Sequence, residues 1–278
     1  MVQNKRRSML CPNCRKLISG DDSVCPYCGL KNPTSTWQRL IGRGLHDGDQ
    51  LLKILIGVNI VMFAFSLLLS ARSTSFALNP LSFLSPDNRS LLLLGATGYI
   101  PIVRLHRWWS LVSANYLHGS ILHIFFNMFA LRQLGPLVLH EYGNSRMIII
   151  YTLSGVFGFF ISYLARVPLT IGASAAVCGL IGAALYFGKS RGGIYGQTVY
   201  RQIGGWAIGI FMFGFLVPAI NNWAHGGGML AGAVLGFLLG YQEKRRESHG
   251  QKIAALCCVG ITGLVLLWAI FSSFFFYY

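Results

Sequence analysis

Seven stretches of this chain are long and apolar enough to cross a bilayer as helices, which takes about 20 residues for a hydrocarbon core of about 30 Å. They lie near residues 51–70, 118–139, 146–165, 170–188, 202–220, 223–241 and 253–277. Of the 278 residues, 54% are apolar and only 11% charged. A water-soluble globular domain does not have that balance, so the bilayer is the expected solvent and an all-α polytopic membrane protein the expected fold class.

The charges that remain are mostly basic, 23 Lys and Arg against 8 Asp and Glu. In a soluble chain this would suggest nucleic acid, but here the bases cluster between apolar blocks, as in cytoplasmic loops. Nine bases lie up to Lys53, three (Lys189, Arg191, Arg201) around the fourth-to-fifth connection, and four (Lys244, Arg245, Arg246, Lys252) in the sixth-to-seventh. The positive-inside rule then predicts a cytoplasmic N-terminus, and an odd number of spans puts Tyr278 outside. Arg72, Arg89, Arg104 and Arg107 make the long insertion at 71–117 the awkward loop. That insertion is too apolar for a free loop and too broken by Pro80, Pro86 and Pro101 for a span. Trp108 and Trp109 predict that it lies at the outer membrane interface. Lys5, Arg6 and Arg7 are followed by cysteines rather than an apolar run, so no cleavable signal peptide is read. Short loops and the lack of a transit peptide point to a bacterial inner membrane.

Before the first span, residues 11–29 carry Cys11-Pro-Asn-Cys14 and Cys25-Pro-Tyr-Cys28-Gly. Two such knuckles can close a tetrahedral thiolate site, and so small a module needs the metal to fold. In a reducing cytoplasm the spacing favours Zn2+ over a disulfide pair or a rubredoxin-like iron site. Four cysteines leave no open position for water, so the zinc is expected to be structural. Residues 34–50, with Gly42, Gly44 and Gly48, read as a linker after a ribbon spanning 1–33.

Polar side chains inside spans are costly and mark sites. All eight acids lie outside the apolar blocks, and no His-Glu-x-x-His occurs. Paired-aspartate proteolysis, a carboxylate-driven carrier and an intramembrane zinc protease are therefore disfavoured. What the blocks do hold is His118, His123 and Asn127 in the second, Ser174 in the fourth, and Asn221, Asn222 and His225 at the start of the sixth. With the orientation above, all enter from the outer face and sit in one half of the bilayer. His123 and Asn127 share a helix face at i and i+4. Small neighbours, Gly172 and Ala173 before and Ala175 after, leave the Ser174 hydroxyl accessible. Gly228 and Gly232 fall on the face of His225 and match the small stripe Ala175, Gly179 and Ala183, so two helices can pack closely and bring Ser174 to His225. A serine becomes nucleophilic when a base accepts its proton, which predicts a Ser-His dyad with His123, Asn127 and the Ser174 N–H near the oxyanion. Taken singly, a serine in a span bonds back to its own helix and a histidine fills a packing role.

Leu117-His118-x4-His123-x3-Asn127, Gly172-Ala173-Ser174 and Ala224-His225-x2-Gly228-x3-Gly232-Ala233 together resemble the rhomboid proteases. Arg107-Trp108-Trp109 and Glu141-Tyr142-Gly143 are similar to the family's flanking pattern. The resemblance covers residues 51–241 and implies a six-helix core, so that residues 242–278 add a basic loop and a seventh span. It implies Ser174 as nucleophile, His225 as general base, His123 and Asn127 as oxyanion stabilisers, and His118 as a supporting residue at the rim. It also implies membrane-protein substrates with one transmembrane helix, cleaved near the outer surface without a catalytic cofactor. The sequence departs from the family pattern at Ala175, where Gly is usual, at Cys178, where an aromatic commonly packs on the histidine, and at Ser110, where many members have Arg. Two other readings stay open: an inactive rhomboid-like protein that binds transmembrane helices, and a membrane scaffold whose ribbon recruits a cytoplasmic protein.

Overall fold

The structure is a computed structural model and describes residues 8–11, 16–27, 29–35, 48–70, 83–217 and 220–276. Strands β1 (Ser8–Leu10) and β2 (Leu17–Ser19) pair as an antiparallel hairpin with Met9 opposite Ile18. Cys11, Ile18, Cys25 and Leu30 form its small buried core. Cys14, Cys28 and most of the expected linker lie outside the described residues. The linker also ends earlier than expected, because helix α1 (Gly48–Leu69) already includes Gly48 and Asp49 in its first turn.

The insertion at 71–117 is described from residue 83 and folds into short pieces. These are α2 (Asn88–Leu93), α3 (Tyr99–Leu105), α4 (Ser110–Ser113) and a 3-10 turn at Ala114–Tyr116. Asp87 caps α2 by accepting from Ser90 N at 2.6 Å. The apolar residues that made this segment too hydrophobic for a loop are its inner face: Ile102, Leu111 and Ala114 pack with Phe159, Ala175 and Ala224 of three long helices. Trp108 is half exposed, whereas Trp109 packs under Gly95, where a Cβ would collide with its ring.

Six more long helices follow: α5 (Ile121–Tyr142), α6 (Asn144–Leu164), α7 (Ser174–Arg191), α8 (Gly193–Leu216), α9 (Asn222–Leu239) and α10 (His249–Phe276). With α1 they occupy the seven apolar blocks. Five of them, α1, α5, α6, α8 and α10, are long and apolar enough to cross a membrane. The expectation of seven such helices is therefore met by five on this measure. Helices α7 and α9 have 18 residues each; Lys189, Ser190 and Arg191 at the end of α7 and Asn222 and His225 at the start of α9 lower their hydropathy, while their Gly and Ala residues allow close packing.

Those two helices are the centre of the bundle. A Cβ on Gly228 would run into the Ala175 carbonyl, and one on Gly232 into that of Gly179. Helix α6 closes the third side, where a Cβ on Gly158 would lie 2.5 Å from Ala224 O and 3.1 Å from Gly228 N. Backbone meets backbone at these crossings, so apolar attraction between helices in lipid is replaced by dense van der Waals contact.

At the opposite end the connections are tied by polar groups. Glu247 accepts from Ser145 N at 2.8 Å and Arg146 N at 3.2 Å, capping α6. The buried Arg146 donates to Gln251 Oε1 at 3.0 Å and Arg245 O at 2.7 Å. Tyr195 OH donates to Glu141 at 2.6 Å, and Glu141 stands in the last turn of α5, because that helix runs through Pro136 and past the expected boundary.

Candidate active site

The first turns of α5, α7 and α9 meet at one end of the bundle, beneath the folded insertion. Helix α7 begins at Ser174, not at residue 170 as the apolar run suggested. Residues 165–173 are irregular because Pro168 and Gly172 interrupt the helix, Gly172 at φ +124. Within this stretch Thr170 pairs with Thr97, each N–H donating to the other's carbonyl at 2.7 and 3.1 Å. Gly172 N donates to Ala114 O at 2.9 Å, which fixes the final approach to Ser174.

His225 stands in the first turn of α9 and is buried. Its Nε2 and Ser174 Oγ are 2.9 Å apart in hydrogen-bond geometry. The pair is held by the α7–α9 contact, since Gly228 follows His225 by three residues and touches Ala175, the neighbour of Ser174. Among the described residues, nothing accepts a hydrogen bond from His225 Nδ1.

His123 faces the same space from α5. Ser120 caps that helix, accepting from His123 N at 3.2 Å. Gly119 N donates to His123 Nδ1 at 3.3 Å, so the imidazole proton sits on Nε2. That Nε2 and Ser174 Oγ flank the same spot: a Cβ built on Gly172 would lie 2.6 Å from the first and 3.7 Å from the second. Only glycine leaves this gap open. Asn127 is buried one turn on, and its amide donates to His123 O at 2.8 Å, leaving the second N–H of the amide for another acceptor. Ser174 is the first residue of α7, so its N–H has no intrahelical acceptor and stands at the positive end of the helix dipole.

His118 differs from its expected place. It precedes α5 in an extended segment, is fully buried rather than at a rim, and accepts from Ala173 N at 3.5 Å. Its ring packs edge-on against His123 at 5.1 Å between centroids. It therefore buttresses the residue before Ser174 and the ring of His123 together. Ala175 and Cys178 are both buried inside the bundle below Ser174. Ser110 donates to Thr97 Oγ1 at 2.9 Å and so belongs to the support of the Thr97–Thr170 pairing.

The sequence reading gave no role to Ser162, Thr170 or Asn221. Asn221 caps α9, accepting from Ala224 N at 3.1 Å, and its amide donates to Ser162 Oγ at 2.7 Å and Thr170 Oγ1 at 3.0 Å. Hydroxyls among apolar residues give no strong pattern; the asparagine at a span boundary is the signal that could have prompted a search for partners.

No group of three His, Cys, Asp or Glu stands together among the described residues. Cys11 and Cys25 are buried in one cluster, Cys11 N donating to Lys16 O at 3.0 Å and Cys25 N to Leu30 O at 2.9 Å. Gly29 N donates to Cys25 O at 2.9 Å, at φ +70.

Residues 105–242 match the Rhomboid domain. The chain is 33% identical over 185 residues to RHOMBOID-like protein 6, mitochondrial, of Arabidopsis thaliana, covering 63% of this chain and 60% of that protein. It is 32% identical over 156 residues to Rhomboid protease GluP of Bacillus subtilis, covering 56% of this chain and 31% of that protein. With YdcA of the same bacterium, whose name ranks it provisionally among rhomboid proteases, identity is 30% over 153 residues, 54% of this chain and 76% of that one. The chain spans 60%, 41% and 57% of three of its plant relatives. The domain match begins at the last residue of α3 and runs through α4 and helices α5 to α9, with the glycine crossings at Gly228 and Gly232. The chain is an integral membrane protein and belongs to the rhomboid family.

Proposed function

We propose that the protein is an intramembrane serine endopeptidase in which Ser174 and His225 act as a dyad. The 2.9 Å contact between Ser174 Oγ and His225 Nε2 carries this reading. Ser174 Oγ attacks the scissile carbonyl while its proton passes to His225 Nε2. His225 returns that proton to the departing amine as the C–N bond breaks, leaving an acyl-enzyme. Water, deprotonated by His225, then attacks the ester and restores Ser174. The oxyanion formed in each half lies among the Ser174 N–H, His123 Nε2–H and the second N–H of Asn127, each such donor contributing about 3 kcal/mol. The substrates are membrane proteins with a transmembrane helix, cut near the outer surface, since the site lies at the first turns of three helices rather than at their middle.

The reading includes orientation. The end opposite the site carries Lys189, Arg191, Lys244, Arg245, Arg246 and Lys252, which supports a cytoplasmic location for it, with Tyr278 external and a bacterial inner membrane as the setting. On that side Cys11, Cys14, Cys25 and Cys28 would hold a structural Zn2+, and the ribbon would dock a cytoplasmic protein. Labelling with a fluorophosphonate tests the enzyme reading. Wild type is expected to label and Ser174→Ala not to. A wild type that stays unlabelled in detergent and in bilayers favours instead a helix-binding protein without activity, the reading that Ala175 and Cys178 motivate.

A further inference from the structure

The contact between Ser174 and His225 depends on where two backbones begin their helices, and nothing among the described residues orients His225 through Nδ1. The register between those helix starts is set four residues upstream of each. Thr170 precedes Ser174 by four residues, and Asn221 precedes His225 by four. Asn221 Nδ2 donates to Thr170 Oγ1 at 3.0 Å, so the two approaches are joined directly.

The same amide donates to Ser162 Oγ of α6 at 2.7 Å. Ser162 spends its own proton on Gly158 O at 3.2 Å, which leaves its oxygen as an acceptor for Asn221. Asn221 Oδ1 accepts from Ala224 N at 3.1 Å and its main-chain oxygen accepts from His225 N at 3.2 Å. On the other branch, Thr170 is clamped to Thr97 by two backbone bonds, and Thr97 Oγ1 accepts from Ser110. An asparagine that merely caps a helix needs only its side-chain oxygen. Here both amide hydrogens are committed, to two different segments.

We propose that Asn221 is a positioning residue: it locks the start of α9 to α6 and to the approach of α7, and so sets the separation of Ser174 and His225. The inference rests on the reading of those two as the reacting pair. Its loss would let the helix starts slide against each other while the deeper glycine crossings hold the bundle together. Small misplacements of a reacting pair are costly, about 10²-fold for 1 Å.

The test is steady-state cleavage of a single-span substrate together with the second-order rate of fluorophosphonate labelling, both in wild type, Asn221→Ala, Asn221→Asp, Thr170→Val and the double variant Asn221→Ala with Thr170→Val. Asn221→Ala is expected to lower kcat and the labelling rate about tenfold or more with KM within about twofold. Asn221→Asp keeps the cap on Ala224 N but cannot donate to Ser162, so it is expected to fall with Asn221→Ala rather than with wild type. Thr170→Val is expected to lose about threefold to tenfold, and the double variant to be no slower than Asn221→Ala alone, because both remove one linkage. Wild-type labelling and kcat per folded molecule in Asn221→Ala, with only a lower melting temperature, would overturn the proposal. If Asn221→Ala does not fold, unchanged kcat and labelling in Thr170→Val overturn it equally. A wild type that neither labels nor cleaves brings down the dyad reading itself, an outcome distinct from a normal wild type with a normal Asn221→Ala.

Discussion

Gly232 of α9 runs against Gly179 of α7 so closely that a Cβ on Gly232 would meet the carbonyl oxygen of Gly179, with its carbon at 2.5 Å and its Cα at 2.6 Å. The obstacle is backbone on a central helix and cannot yield as a side chain would. Gly232→Ala is therefore expected to destabilise the bundle by about 1–3 kcal/mol or more and to separate Ser174 from His225. Gly209→Ala, where nothing lies within 4 Å of the added carbon, is the matched control and should leave both melting temperature and labelling unchanged. Equal melting temperatures for the two variants would show that the close crossing is not what holds the helices.

Ser174→Ala and His225→Ala should each abolish cleavage of a model single-span substrate, since nucleophile and base act as one unit. Asn127→Ala should leave measurable activity, reduced about 10²-fold as for loss of one oxyanion donor. Full activity in His225→Ala would end the dyad reading.

Two glutamates at the opposite end separate a cap from a surface ion pair. Glu247 accepts from two backbone amides of α6, so Glu247→Ala is expected to cost about 0.5–2 kcal/mol. Glu243 meets Arg191 at 2.9 Å on the protein surface, and Glu243→Ala should change stability little. Thermal denaturation of the two purified variants side by side decides the order.

The thiol hairpin predicts one tightly bound zinc per chain, lost when Cys11 and Cys14 become Ser. Deletion of residues 1–33 is expected to leave cleavage of the model substrate largely intact, because the site lies at the other end of the helices. Metal analysis that finds iron, or no metal, removes the zinc ribbon; complete loss of cleavage in a folded truncation shows that the two regions are coupled.

What the sequence made legible follows the physics that each residue reports. Apolar length marked the five helices that are long and apolar enough to cross a membrane, and the scarcity of polar groups in the apolar blocks drew attention to His123, Asn127, Ser174 and His225. Helix starts were less legible: Thr170-Ile171-Gly172-Ala173 is as apolar as the helix it precedes, yet Pro168 and Gly172 interrupt it and Thr170 pairs instead with Thr97, 73 positions away. The insertion hid its short helices for the same reason, since its apolar face is defined by Phe159, Ala175 and Ala224, which arrive from distant segments. Asn221 was visible as a polar residue at a boundary, but its partners at Ser162 and Thr170 are fixed only by the packing of three helices.

The cap that Glu247 places on α6 has a consequence for biogenesis. Ser145 and Glu247 are 102 positions apart, so α6 emerges from the ribosome and enters the bilayer long before its cap exists. Through the synthesis of α7, α8 and α9 its first amides must be met by water or lipid headgroups at the membrane surface. The start of α6 can reach its final structure only after the loop into α10 has been made, which ties the last helix to the order of assembly even though it lies outside the segment that matches the family.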